Sequence, residues 1–161
     1  MPGSLKKIEF SLKDAEGLII EVVNSGGEFE LFPRGTSMLP LIVEGRDSVR
    51  LVKPENLKVD DIALYKRDNG QFVLHRIVAA EGDVFDMCGD NQLVVEKGIR
   101  RDQIMAKVGS MTINGKLVKT DDKRYLAYVN RRRNLKLRKL GFIVKRFPSI
   151  VKNKIKKMSG R

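Results

Sequence analysis

Between Ser48 and Lys119 the chain is built from short β-rich runs separated by turn residues. Ser48–Val52, Ile62–Arg67, Phe72–Ala80, Val84–Met87 and Ile104–Val108 are each rich in Val, Ile, Leu, Phe and Tyr. Branched and aromatic side chains of this kind pack well on a pleated surface, and runs of this length suit strands rather than helices. Asp68-Asn69-Gly70 separates two of the runs and reads as a hairpin turn. Asn114-Gly115, between Met111–Ile113 and Leu117–Val118, is a stronger signal, because both residues tolerate positive φ. Nothing repeats at a fixed period. The pattern predicts a mainly β body, barrel-like or made of sandwiched sheets.

The flanks read differently. Leu18-Ile19-Ile20-Glu21-Val22-Val23 suits either a short helix or a strand, and Gly26-Gly27 ends it. Phe29, Leu31 and Phe32 alternate with acids, which suggests an extended approach to Pro33. After Thr120, the residues Leu126, Val129, Arg133, Leu137, Leu140, Val144 and Phe147 step by three or four, with Arg133 the one polar defect. Pro148 breaks or kinks the run, and Val151, Ile155 and Met158 resume it. Three parts follow: a lead-in over 1–30, a β domain over 31–120, and a basic amphipathic helical tail over 121–161.

Charge follows the same division. Residues 122–161 hold 15 Lys/Arg against one acid, whereas residues 1–121 hold 17 against 19. The net +12 is therefore a property of the tail. A body near neutrality disfavours nucleic acid as a partner that wraps the whole protein. An apolar stripe beside the basic residues, including Phe142, Ile143 and Phe147, suits an anionic membrane surface. Packing of the stripe on the body is the plainer alternative, and a nucleic-acid arm is a third, disfavoured because phosphate binding alone needs no such apolar residues. No apolar run approaches the roughly 20 residues of a spanning helix, and Met1 to Lys13 lacks the apolar stretch of a secretory signal. The expected location is cytoplasmic, with peripheral attachment to the cytoplasmic membrane face as an option. Hydrophobic residues make up 42% with no Trp, so Val, Ile and Leu should carry the core. Cys88 is the sole cysteine and reads as a small buried apolar residue. One His and one Cys supply no plausible zinc set, so neither metal nor cofactor is expected.

Three short segments carry possible chemistry. Gly35-Thr36-Ser37-Met38-Leu39-Pro40 places a serine on an irregular turn, where neighbouring N–H groups can face a developing oxyanion. Taken alone, a serine near Gly and Pro is ordinarily a turn former. His75, the only histidine, lies in Phe72-Val73-Leu74-His75-Arg76-Ile77-Val78. On a strand it shares a face with Val73 and Ile77, which suits a buried structural histidine and equally a neutral general base. Gly89-Asp90-Asn91-Gln92 reads as a tight turn, and Asp90, or Glu96 slightly later, is a candidate to orient His75.

In this order and spacing, Ser-Met-x-Pro, Leu-His-Arg-Ile-Val and Gly-Asp-Asn resemble the signal-peptidase and LexA-type serine peptidases. The likeness is closest to the histidine-using branch of the endoplasmic-reticulum and archaeal type; LexA-like repressors and the main bacterial branch have a lysine at the position of His75. Val59-Asp60-Asp61-Ile62-Ala63-Leu64-Tyr65 resembles the family's Gly-Asp-Ile-Val strand, with Asp60 in place of glycine, and Ile104–Val108 resembles the strand closing its core. The resemblance covers about residues 30–110. It implies a signal-peptidase/LexA-like β-sheet body, Ser37 as nucleophile and His75 as base. By the same resemblance Asp90 matches the motif aspartate, and Glu96 falls where the histidine branch has its triad acid. Which of the two faces His75 stays open. Where family members often carry a hydroxyl that helps hold the oxyanion, this chain has Gly35, so the Ser37 N–H and the Thr36 hydroxyl are the expected donors, with Met38 as support.

The implied function is a serine endopeptidase cleaving an extended leader, signal or propeptide segment with small residues before the cut. The alternatives are a catalytically weak peptide-binding or membrane-docking module of the same fold, or a LexA-like self-cleaving regulator.

Overall fold

The computed structural model describes residues 12–133, which divide into two units at Thr120/Asp121. The ambiguous apolar run near the start is helical. Helix α1 spans Leu12–Asn24 and buries Ile19 and Val23, one turn apart. Six residues could not distinguish helix from strand; the four-residue spacing of its two buried positions does. The helix ends on a glycine pair that satisfies its last carbonyls. The Gly26 N–H donates to the Val23 carbonyl at 3.2 Å and the Gly27 N–H to the Val22 carbonyl at 2.9 Å.

Eight strands follow: β1 (Phe29–Leu31), β2 (Ser48–Val52), β3 (Ile62–Lys66), β4 (Phe72–Glu81), β5 (Val84–Cys88), β6 (Glu96–Arg100), β7 (Ile104–Ile113) and β8 (Lys116–Lys119). They do not form two stacked sheets. All eight belong to one antiparallel sheet with the order β1-β2-β7-β3-β4-β5-β6, and β8 pairs with β7. The ten-residue β7 makes this possible. Lys107 pairs with both Val52 and Ala63, and Met111 pairs with both Val49 and Val118. Strand β2 thus lines one side of β7, while β3 and then β8 share the other. The two expected hairpins are present, and Asn114 and Gly115 hold φ of 49° and 74°.

Strand β6, Glu96-Lys97-Gly98-Ile99-Arg100, has one apolar side chain and no sequence signature of a strand. It lies at the sheet's edge, where charged residues discourage pairing with other chains. One apolar cluster joins Ala63, Tyr65, Ile77, Phe85, Met87, Ile99 and Ile104. Aliphatic residues dominate the core as expected, yet the largest fully buried side chain is the phenol of Tyr65. A buried hydroxyl needs hydrogen-bond partners, and those of Tyr65 lie in the site described below.

The second unit opens with Asp122, whose carboxylate accepts from the Arg124 N–H at 2.7 Å and so caps helix α2 (Lys123–Arg133). Tyr125 and Val129 are its buried residues, and Arg131, Arg132 and Arg133 fill its last turn. The helical repeat expected beyond Arg133 falls outside the described residues.

Candidate active site

Strand alternation and register build one side of the site. The pairs Ala63↔His75 and Tyr65↔Val73 put Tyr65 and His75 on the same face of the β3–β4 hairpin. The pairs Ile77↔Met87 and Met87↔Glu96 bring Glu96 to that face as well. There the Tyr65 hydroxyl donates to Glu96 Oε2 at 2.7 Å and lies 3.3 Å from His75 Nδ1. Arg67, just past β3, grips both Glu96 oxygens, Nε to Oε1 at 2.8 Å and Nη2 to Oε2 at 2.6 Å. The guanidinium, helped by the Tyr65 O–H, holds the Glu96 carboxyl below its usual range. His75 is 4% exposed. Burial and then the charge of Arg67 push its pKa down to about 4, so the imidazole is neutral at pH 7. Burial and the Glu96 charge raise the Tyr65 phenol, which keeps its proton.

The other side is the turn carrying Ser37. Its apolar anchors are Met38 and Ile42, 4% and 2% exposed. Downstream, the buried Asp47 accepts from the N–H groups of Val43 and Asn114, each at 2.8 Å, tying the loop to the β7–β8 turn. Arg46 and these N–H groups hold the Asp47 carboxyl down to about 2.

The Gly89-Asp90-Asn91 segment closes over this turn. The Asn91 N–H donates to the Ser37 carbonyl at 2.7 Å, and Asn91 Nδ2 to the Thr36 carbonyl at 3.1 Å. A Cβ at Gly89 would sit 2.7 Å from the Ser37 carbonyl oxygen, so only glycine fits. Asp90 points elsewhere. It forms a two-bond pair with Arg76 at 2.8 and 2.7 Å. Arg76 follows His75 on β4 and therefore points to the opposite face.

Ser37 and His75 line one cleft of about 240 Å³, together with the buried apolar residues Met38, Ile42 and Leu74. A second recess, of about 280 Å³, has His75, Glu96, Leu93 and Val94 on its walls. The expected site residues thus separate by role. Ser37, His75 and Met38 meet at the cleft. Glu96 reaches His75 through Tyr65, and Asp90 braces the Ser37 turn. Thr36 offers its carbonyl to Asn91. Gly35, also in the cleft wall, holds φ of 88° and commits its N–H to Glu44 Oε2 at 2.8 Å.

Tyr65, Arg67 and Arg76 were not among the expected residues. The hairpin at Asp68-Asn69-Gly70 carries a signal for the first, since counting back from the turn puts Tyr65 on the face of His75. Arg67 and Arg76 carry no comparable signal.

No family model matches the chain, and neither a curated protein nor a solved structure does.

Proposed function

We propose that this protein is a serine endopeptidase of the signal-peptidase type, with a signal-peptidase/LexA-like body, Ser37 as nucleophile and His75 as general base. One observation carries the reading: the only histidine, buried and neutral, shares a cleft with a serine whose turn is held at its Thr36 and Ser37 carbonyls. Asp60 adds support. It replaces the family's glycine yet holds φ of 81°, a region ordinarily left to glycine.

In this reading Ser37 Oγ attacks the scissile carbonyl carbon as His75 takes its proton. The imidazolium then protonates the leaving amine as the C–N bond breaks. Water, deprotonated by His75, then attacks the acyl-Ser37 ester, and the imidazolium returns the proton to Ser37 Oγ as the ester C–O bond breaks and the acid is freed. The Ser37 N–H and the Thr36 hydroxyl are the donors assigned to the oxyanion. The substrate is an extended precursor peptide pairing with a sheet edge, and β1 is an edge strand that leads through Pro33 and Arg34 into the cleft wall.

No helix of the described residues is long and apolar enough to cross a membrane. In the proposal, the basic residues of 122–161 dock the protein on an anionic membrane surface. Each contributes about 1 kcal/mol near such a surface. Retention on phosphatidylserine vesicles, lost when these lysines and arginines are neutralised, tests this part.

The central test is cleavage of a small-residue peptide library by the wild type, Ser37→Ala and His75→Ala, read by mass. Wild-type cleavage, with about 10³-fold or greater loss in both variants, supports the pair. Equal silence in all three, or equal cleavage, removes the peptidase reading and favours a peptide-binding module.

A further inference from the structure

The hydrogen bonds around His75 constrain its tautomer. Glu96 is gripped on both oxygens by Arg67 and, as a carboxylate, can only accept. The Tyr65 hydroxyl, 2.7 Å from Glu96 Oε2, has a single proton and spends it there. Toward His75 Nδ1, 3.3 Å away, its oxygen can then only accept, as it also does from Arg67. A neutral imidazole whose Nδ1 is the donor has Nε2 as its sole acceptor, and a general base needs such an acceptor.

We propose that Tyr65 is a positioning residue, a relay between Glu96 and His75 that fixes the imidazole as its Nδ1–H tautomer and reserves Nε2 for the Ser37 proton. Glu96 acts at second hand. Its charge, anchored by Arg67, orients the phenol, and the phenol orients the ring. Register places the relay, because Tyr65 and His75 are diagonal neighbours on one face of the β3–β4 hairpin. Tyr65 is fully buried, so water does not compete for its hydroxyl.

The functional role rests on the peptidase reading, but the tautomer does not, and the two are measured separately. His75 is the only histidine, so a nitrogen-15 spectrum of the imidazole near pH 7 needs no assignment. The wild type should show a protonated Nδ1 and an unprotonated Nε2. In Tyr65→Phe the Nδ1–H loses its acceptor, and the spectrum should invert toward the Nε2–H form. Glu96→Ala, at a side chain 27% exposed, should invert it too, because the freed Tyr65 O–H turns to donate to Nδ1. This variant stands in if Tyr65→Phe does not fold. An unprotonated Nδ1 in the wild type, or an unchanged spectrum in the folded variants, overturns the relay.

Peptide cleavage then tests the role. Tyr65→Phe should lower kcat about 10²-fold or more with KM little changed, the signature of a wrongly presented base. An inverted spectrum with undiminished kcat overturns the positioning role. If Ser37→Ala cuts as well as the wild type, the peptidase reading fails, and the role of Tyr65 fails with it while the tautomer result stands.

Discussion

Arg76 and Asp90 form a buried two-bond ion pair, their side chains 4% and 1% exposed, that joins the strand bearing His75 to the segment holding the Ser37 carbonyl. Two groups that approach the cleft from different elements are thereby placed by one contact on the opposite face of the sheet. Arg76 also donates to the Asp60 carbonyl at 2.7 Å, which brings the start of β3 into the same brace.

Asp90→Ala should therefore act through stability. Removing the carboxylate strands a buried guanidinium, and the expected loss is about 3–5 kcal/mol in denaturant unfolding. The pair Arg76→Met with Asp90→Leu should lose far less, since no charge is left buried. If Asp90→Ala unfolds like the wild type, the brace is not a determinant of stability.

Gly89→Ala should damage the site more than the fold. The added Cβ meets the Ser37 carbonyl oxygen at 2.7 Å and Gln92 Oε1 at 2.9 Å. Relief requires the Ser37 turn to move, and in the peptidase reading a displacement near 1 Å at the nucleophile can cost about 10²-fold in rate. Labelling by a serine-directed phosphonate should fall by at least that factor, with a folded circular dichroism spectrum retained.

The histidine sets a pH dependence of definite sign. Its folded pKa of about 4 lies below the ordinary 6.5, so between these values the unfolded chain binds a proton that the folded one refuses. Stability should be intact above 6.5 and decline as the pH falls toward 4, by about 3 kcal/mol in all. The decline should vanish in His75→Phe. In the peptidase reading, kcat/KM should hold its alkaline value down to an acid limb near pH 4, and a limb near 6.5 would contradict the buried neutral imidazole.

Gly35→Ser, which would place a hydroxyl where the resembling family often has one, should bring no gain in the peptidase reading. The backbone there holds φ of 88°, and an L-residue at such an angle costs about 1–2 kcal/mol. A loss of that order in thermal or denaturant unfolding, with no gain in cleavage, is the expected result. A rise in rate would mean that the turn relaxes to accept the side chain.

Much of the β body is local chemistry and was legible in the residues. Ser48–Val52 carries its branched pattern within its own length, and Asn114-Gly115 specifies its turn by the φ angles these two residues accept. The face of His75 followed from period-two alternation alone. Strand β6 was hidden because an edge strand is polar by need, and the single sheet was hidden because the neighbours of β7 are not written in β7.

The division between the two acids lay beyond any local reading. Asp90 and Glu96 are six residues apart, and either could have faced His75 by spacing. The sequence by itself determined most of the strands, their turns and the candidate groups Ser37, His75 and a nearby carboxylate. Tertiary structure decided that Asp90 pairs with Arg76 across the sheet while Glu96 reaches His75 only through the Tyr65 hydroxyl. The reason is physical: hydrogen bonds act over about 3 Å, and strands far apart in the chain come within that range only when the sheet sets their register.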